Sequence, residues 1–274
     1  MTSRLNTVDV GGFRVGYRRA GAGPAIVCIH GYVGDSRTWN PQLESLSDTF
    51  TVVAWDAPGF GQSSDPPADL GLGGYADALA GFMAALELER AHLMGLSFGG
   101  ALAIELYRRH PGLVETMVLA SAYAGWPGSL PPAEVDRRLR QALDLARLSG
   151  RQLVDALLPT MFTKAVPKAV AADFEAQLLE FHPAGLVATA QAVAKIDLRE
   201  TLPRIRVPTL LIYGGADVRA GAAVARAIND GIPGSELIFI PGVGHIVNLE
   251  ASDSFNAQAR SFLLRAGRDS GRPA

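Results

Sequence analysis

The chain has one cysteine among its 274 residues, a net charge of only −2, and no long apolar run. A single cysteine excludes an internal disulfide and any metal site built from several cysteines. A near-neutral balance provides no basic surface for nucleic acid. The apolar stretches are shorter than the roughly 18 residues that a membrane span requires. We therefore expect no nucleic-acid partner, no membrane association, no metal and no cofactor.

The first residues, MTSRLNTVDVGG, lack the apolar segment of a secretory signal peptide. We therefore expect a cytoplasmic protein whose partner is a small-molecule substrate. Hydrophobic residues make up 48% of the chain and charged residues 19%, which is typical of a folded domain with a large core. The sequence gives no indication of the oligomeric state.

The chain does contain a regular series of short apolar runs. Two segments joined by Gly11 and Gly12 form a predicted β-hairpin. Continuous apolar runs, typical of strands covered on both faces, follow at 25–29, 51–55, 91–96, 116–121, 209–214 and 236–240. Helical patterns alternate with these runs, for example over 75–86 and 255–263. This alternation predicts an α/β fold with a doubly wound, mostly parallel sheet.

The alternation stops between residues 124 and 207. Three helical patterns occupy this stretch, and the first is expected to end at Gly150. Because the strand pattern resumes after Pro208, we interpret the stretch as a helical cap inserted after the sixth strand. The predicted organisation is a core formed by 1–123 and 208–274, with a cap over 124–207.

The segment GLSFG, residues 95–99, places Ser97 between a predicted strand and a predicted helix. A sharp strand-to-helix turn needs small neighbours, because strand and helix approach each other closely there. Such a turn exposes the serine oxygen at a helix N-terminus, where negative charge is favoured. The pattern predicts that Ser97 is a nucleophile, with an ordinary glycine-rich turn as the alternative.

A serine nucleophile needs a base and an acid that orients the base. Of five histidines, His245 lies in a glycine-rich loop between the last predicted strand and the last helix. Asp217 follows the strand before that one. Both positions lie at the carboxyl edge of the sheet, where open α/β folds place their sites. We therefore expect His245 as the base and Asp217 as the acid, although an aspartate here can also cap a helix.

Two backbone N–H groups are candidates for an oxyanion hole. One belongs to Phe98, directly after the serine, and the other to Tyr32 in the loop after the first parallel strand, with Val33 in reserve. Arg219 is a candidate contact for an anionic substrate, with a solvated or salt-bridged arginine as the alternative. Candidate pocket residues, for which packing or surface roles are the alternatives, are Trp126, Met161, Phe162 and His182.

Four motifs together resemble the α/β-hydrolase superfamily. They are His30-Gly31, the segment WDAPGFGQS at 55–63, the serine turn, and the aspartate and histidine described above. The cap and the C-terminal motifs are most similar to carboxylesterases and 3-oxoadipate enol-lactonase-like hydrolases. Many relatives carry a proline shortly after the acid, whereas this chain has Val218 to Gly221 there. The dehalogenases and epoxide hydrolases of this superfamily use an aspartate nucleophile, but at the position that Ser97 occupies here. Asp56 lies elsewhere and is therefore expected to be structural.

The resemblance implies a serine hydrolase that cleaves a carboxylic ester or lactone of a small, largely apolar molecule through an acyl-enzyme. C–C bond hydrolysis of the meta-cleavage type, thioester hydrolysis and perhydrolysis use the same residues, so they stay open. A ligand receptor on the same fold is the alternative from another class. Nucleotide binding is disfavoured, because Gly59-Phe60-Gly61 is followed by Ser64 where the third glycine of a dinucleotide motif belongs.

Overall fold

A computed structural model describes residues 4–67 and 69–269. Its strands form one eight-stranded sheet with the order β1-β2-β4-β3-β5-β6-β7-β8. The strands are β1 (Leu5–Val10), β2 (Phe13–Ala20), β3 (Ala25–Ile29), β4 (Thr51–Trp55), β5 (Ala91–Leu96), β6 (Val114–Ala120), β7 (Thr209–Gly214) and β8 (Glu236–Ile240).

The sheet is antiparallel at one side and parallel across the rest. β1 and β2 form the predicted hairpin, and β2 joins β4 in antiparallel register. From β4 through β3, β5, β6 and β7 to β8 every pairing is parallel. All residues of β4, β5 and β7 are buried, so helices or loops cover both faces there. These features confirm the predicted doubly wound, mostly parallel sheet.

The helical patterns of the sequence correspond to α-helices in the structure. In chain order they are α1 (Asn40–Leu46), α2 (Gly71–Ala85), α3 (Phe98–Arg109), α4 (Pro132–Leu145), α5 (Gly150–Met161), α6 (Lys168–Leu179), α7 (Pro183–Ala194), α8 (Ala222–Gly231), α9 (Val247–Glu250) and α10 (Ser252–Asp269). α2 packs against α3 and α1 packs against α10. The apolar positions predicted for α2, among them Tyr75, Leu79 and Phe82, are fully buried.

Four helices, α4 to α7, fill the chain between β6 and β7, as expected for a cap inserted after the sixth strand. Within the cap α4 packs against α7 and α5 packs against α6. α7 also contacts α2 and α3, and this joins the cap to the core. At one point Gly185 of α7 lies so close to Gly59 that a Cβ on either glycine would collide with the other's backbone. The exact limits of the cap, 124 and 207, stay a prediction.

The prediction for Gly150 is wrong. This glycine does not end α4, which stops at Leu145, but is the first residue of α5. The side chain of Ser149 accepts a hydrogen bond from the backbone of Gln152, whose side chain in turn accepts one from the backbone of Ser149. This reciprocal capping starts a helix and offsets the poor helix propensity of glycine.

Over the described residues, no helix combines the length and apolarity needed to cross a bilayer.

Candidate active site

Ser97 is the single residue between the end of β5 at Leu96 and the start of α3 at Phe98. Its backbone has φ 53° and ψ −108°, a conformation that non-glycine residues rarely adopt and that is held by the surroundings. A Cβ at Gly95 would collide with the Gly99 carbonyl, and one at Gly99 would collide with the Ile29 carbonyl. The two glycines of the GLSFG segment are therefore required by the close approach of β5, α3 and β3.

Three side chains from different loops form a continuous line of hydrogen bonds. The His245 Nδ1 lies 2.9 Å from Asp217 Oδ2, and its Nε2 lies 3.1 Å from Ser97 Oγ. Because a carboxylate only accepts hydrogen bonds, the imidazole proton lies on Nδ1. Nε2 is then free to accept the hydrogen of the Ser97 hydroxyl. The three predicted residues are thus brought together in the order that proton transfer from serine to histidine requires.

Asp217 is held as an anion. Burial of its side chain raises the pKa, but the charge of His245, the hydrogen bond from its Nδ1 and two backbone hydrogen bonds together lower the pKa to about 2. The backbone N–H groups of Arg219 and Ala220 also donate to Oδ1, at 2.7 and 3.0 Å. An ionised Asp217 fixes the ring orientation of His245 and stabilises its positively charged form.

The loop that carries His245 is fastened to the cap. The backbone N–H of His245 donates to the carbonyl of Met161, at the end of α5, over 2.9 Å. Glu250 accepts from the backbone N–H of Gly244 at 2.8 Å and from that of Thr163 at 3.0 Å, and the Thr163 hydroxyl also donates to it. The cap therefore helps to set the position of His245.

A small cavity opens beside Ser97, with room for about one water molecule. Its lining residues are Tyr32, Ser97, Phe98, Ala101, Tyr123, Trp126, Arg138, Val193 and Arg219. Tyr32 and Phe98, predicted to supply oxyanion N–H groups, both border it. The Phe98 N–H is at the first position of α3, where a helix offers no carbonyl to accept it. The Tyr32 loop passes close to Ser97, since a Cβ on Gly31 would lie 3.8 Å from Ser97 Cβ.

Of the predicted pocket residues, only Trp126 borders this cavity. Met161 is fully buried and faces the site through its carbonyl group rather than its side chain. Phe162 packs edge-to-face on Phe174 inside the cap, with ring centroids 5.3 Å apart. His182 lies 3.1 Å from the Asp65 carboxylate, at a separate polar cleft. For these three the structure favours the packing and surface alternatives.

Four residues that line the cavity were not identified from the sequence, and two of them, Arg138 and Tyr123, are polar. Arg138 and Tyr123 line the cavity, and their side chains are 2.9 Å apart between Nη1 and the hydroxyl. Burial raises the pKa of Tyr123 to about 12, so its hydroxyl stays protonated. Arg138 lies on an amphipathic helix, four residues after Glu134, and such spacing is equally typical of a solvated ion pair. The spacing therefore carries no signal of a cavity-lining role.

Two further buried polar residues, Asp56 and His30, form hydrogen bonds that hold loops of the core together. Asp56 accepts from the backbone N–H groups of Ser36 and Gln62 at 2.8 and 2.9 Å, and this ties two loops together. Burial and the charge of Asp35 raise the pKa of Asp56. His30 accepts the Ala57 N–H with Nε2, so its Nδ1 carries the proton and donates to the Gly31 carbonyl.

Known proteins share both the sequence and the fold. A profile of the family described as "alpha/beta hydrolase fold" matches residues 24–252. A hydrolase from Pseudomonas aeruginosa PA01 is 30% identical with a TM-score of 0.85, covering 96% of this chain and 99% of that one. The enol-lactonase from Burkholderia xenovorans LB400 is 28% identical with a TM-score of 0.85, covering 94% and 100%. Pyrrolizixenacetamide deacetylase of Xenorhabdus hominickii is 28% identical over 268 residues, covering 95% and 98%.

Proposed function

Because the chain belongs to the α/β-hydrolase fold family, we propose that it is a serine hydrolase acting on carboxylic esters or lactones through an acyl-enzyme. The observation that carries the proposal is the hydrogen-bonded line from Asp217 through His245 to Ser97. The likeness to an enol-lactonase supports this substrate class. Among the described residues that line the cavity, Ser97 is the one whose side chain is hydrogen-bonded to a histidine.

The chemistry follows from the protonation states. His245 Nε2 takes the proton of Ser97 as Oγ attacks the carbonyl carbon, and the imidazole becomes positively charged. Asp217, ionised at neutral pH, stabilises that charge. His245 then gives the proton to the departing alcohol oxygen, leaving an acyl group on Ser97. In the second half of the reaction His245 activates a water molecule, which releases the acid and restores the serine.

The negative oxygen of the tetrahedral intermediate needs hydrogen-bond donors. The N–H groups of Phe98 and Tyr32 are our candidates, since both residues border the cavity beside Ser97. A donor of this kind contributes about 2.7–4 kcal/mol to transition-state stabilisation in comparable enzymes. The N-terminus of α3 adds a favourable dipole at the same place.

The lining favours a small substrate with an apolar body. Phe98, Ala101, Trp126 and Val193 supply apolar walls. The cavity has room for about one water molecule, so a substrate enters only if the cap or a lining side chain moves. Such movements are common where a lid covers an active site.

A panel of short-chain p-nitrophenyl esters, lactones and a vinylogous diketone tests the proposal. We expect multiple turnovers per site on esters or lactones, an acyl adduct on Ser97 by mass spectrometry, and neither in Ser97→Ala protein. Faster cleavage of the diketone would instead support the C–C hydrolase alternative. A single slow turnover accompanied by a change in cap protection would support the receptor alternative.

A further inference from the structure

The charged residues that line the cavity beside Ser97 are all positive. Its lining includes two arginines, Arg138 and Arg219, and no aspartate or glutamate. Both guanidinium groups belong to side chains that are at least partly buried. A cation that is shielded from water interacts strongly with an anion brought into the same space. The cavity is therefore suited to a negatively charged group.

Arg219 is held by neutral partners. Its Nη1 donates to the hydroxyl of Thr160 at 3.1 Å, and its Nη2 donates to the hydroxyl of Tyr32 at 3.0 Å. Its guanidinium also lies 5.7 Å from the centre of the Tyr32 ring. Across residues 4–67 and 69–269 no carboxylate forms an ion pair with the Arg219 side chain. Hydroxyl partners are weaker than a carboxylate, which can accept two parallel hydrogen bonds from one guanidinium.

Arg138 shares its single carboxylate with a neighbour. Its Nε donates to Glu134 at 2.7 Å, and Arg137 binds the same carboxylate. Its other two hydrogen bonds go to the hydroxyl of Tyr123 and the carbonyl of Arg219, both at 2.9 Å. Two arginines thus divide one negative charge. The bond from Arg138 to the Arg219 carbonyl joins α4 to the loop that carries Asp217.

The carboxylate of Asp217, which lies in the same loop as Arg219, already has other partners. Asp217 binds His245 and accepts the backbone N–H groups of Arg219 and Ala220, so it does not neutralise the guanidinium groups through a side-chain contact. The two arginines therefore leave an excess of positive charge close to the proposed nucleophile.

We propose that the substrate is an ester or lactone that carries a carboxylate group, and that Arg219, supported by Arg138, binds this carboxylate. The inference rests on the proposed hydrolase function and narrows its substrate class. On binding, the carboxylate takes the place of the Thr160 and Tyr32 hydroxyls as the partner of Arg219. Movement of this long side chain also provides room that the cavity lacks in its present form.

Two matched pairs of esters test the proposal. Within each pair, one ester carries a carboxylate where the other carries a terminal methyl group. Monoethyl glutarate and ethyl pentanoate carry the difference on the acyl part, whereas butanoylglycolate and ethyl butanoate carry it on the alcohol part. Proton release gives kcat/KM for each. We expect wild-type protein to prefer the charged ester of at least one pair, and Arg219→Gln to reduce that preference by about tenfold or more.

Two further variants make the result specific. Arg219→Lys keeps the charge but loses the paired donors, so it should retain part of the preference. Arg151→Gln is the matched control, since Arg151 is also a cap arginine paired with a glutamate, Glu175, but is 62% exposed and does not line the cavity. Its preference should equal that of wild type. An unchanged preference in Arg219→Gln for both pairs, even with lower rates overall, would overturn the proposal and make Arg219 a residue that positions Tyr32.

A binding measurement separates this inference from the proposed function. Ser97→Ala protein is titrated by calorimetry with monoethyl glutarate and with ethyl pentanoate. Preferential binding of the charged ester, lost when Arg219→Gln is added, supports the carboxylate site even if wild-type protein cleaves no ester at all. Equal binding of the two esters counts against the site even if ester cleavage is fast.

Discussion

The sheet core and the cap contribute to the same candidate site in different ways. From the core come the serine, histidine and aspartate side chains, each on a loop that begins where a parallel strand ends. From the cap come the Met161 carbonyl, the Thr160 and Thr163 hydroxyls, and the Arg138 guanidinium. The core thus supplies the groups proposed to react, whereas the cap supplies groups that hold those groups in place or face the substrate.

This difference has a physical origin. A parallel sheet brings the carboxyl ends of its strands to one edge, so residues far apart in the chain meet there whatever the cap does. The cap residues reach the site only because their helices pack on the core in one particular way. We therefore expect changes in the core site to remove activity, and changes in the cap to alter rate, specificity or stability by smaller amounts.

The largest effect is expected from Ser97→Ala. Loss of the proposed nucleophile should reduce ester turnover by about 10⁶-fold, the size of the loss in a triad protease, because the proposed acyl-enzyme forms on the Ser97 oxygen. Alanine differs from serine only by loss of the hydroxyl and introduces no new clash at the tight turn, so the circular dichroism spectrum should be unchanged. Wild-type-like turnover by purified Ser97→Ala protein would contradict the assignment of the nucleophile.

A nearly equal effect is expected from His245→Ala, and the double variant should be little worse than either single one. Groups that act as one unit do not lose rate additively, because removal of either disables the same step. The test is kcat for the two single variants and the double variant, measured with one ester. Losses that multiply would show that the serine and the histidine act independently.

Asp217→Asn should lower kcat by up to about 10⁴-fold, because asparagine can no longer stabilise the charged imidazole. Asp56→Asn, a similarly buried aspartate of the core, is the matched comparison. It should instead lower the unfolding free energy by about 1–3 kcal/mol, since one amide group would face a backbone N–H donor. Inactive, folded Asp56→Asn together with active Asp217→Asn would reverse the two roles.

The same contrast explains what could be predicted from the sequence. Local sequence signatures mark the strands along the chain and the loops that carry the serine, aspartate and histidine. An example is GLSFG at 95–99. The start of α5 at Gly150 has one as well, the capping box at Ser149, but a glycine at this point is also typical of a helix end. Arg138 and the Met161 carbonyl have none. Their contacts depend on how two helices pack against the core, and helical periodicity does not encode this.

A smaller effect on kcat is expected from Glu250→Gln, because Glu250 joins Thr163 of the cap to the loop that carries His245. Glu250→Gln should lower kcat about tenfold with little change in KM, because an amide nitrogen would replace one oxygen that now accepts backbone N–H bonds. Glu180→Gln is the control. Glu180 joins the cap to Arg37 of the core at 2.8 Å, but it is 65% exposed and forms no bond to this loop in the described part of the chain. The kcat of Glu180→Gln should therefore stay within about twofold of wild type. Equal losses in both variants would mean that any cap–core contact affects the rate alike.

The smallest effect is expected at the opposite end of α5 from Met161, at Ser149. Ser149→Ala removes one half of the capping box and should lower the unfolding free energy by about 1 kcal/mol. The helix end that holds His245 is three turns away, so kcat should stay within about twofold of wild type. Ser149→Asp keeps an acceptor at the cap and should restore the stability, measured by urea unfolding. If Ser149→Ala instead reduced kcat as strongly as Glu250→Gln, the whole of α5, and not only its last turn, would be part of the machinery that positions His245.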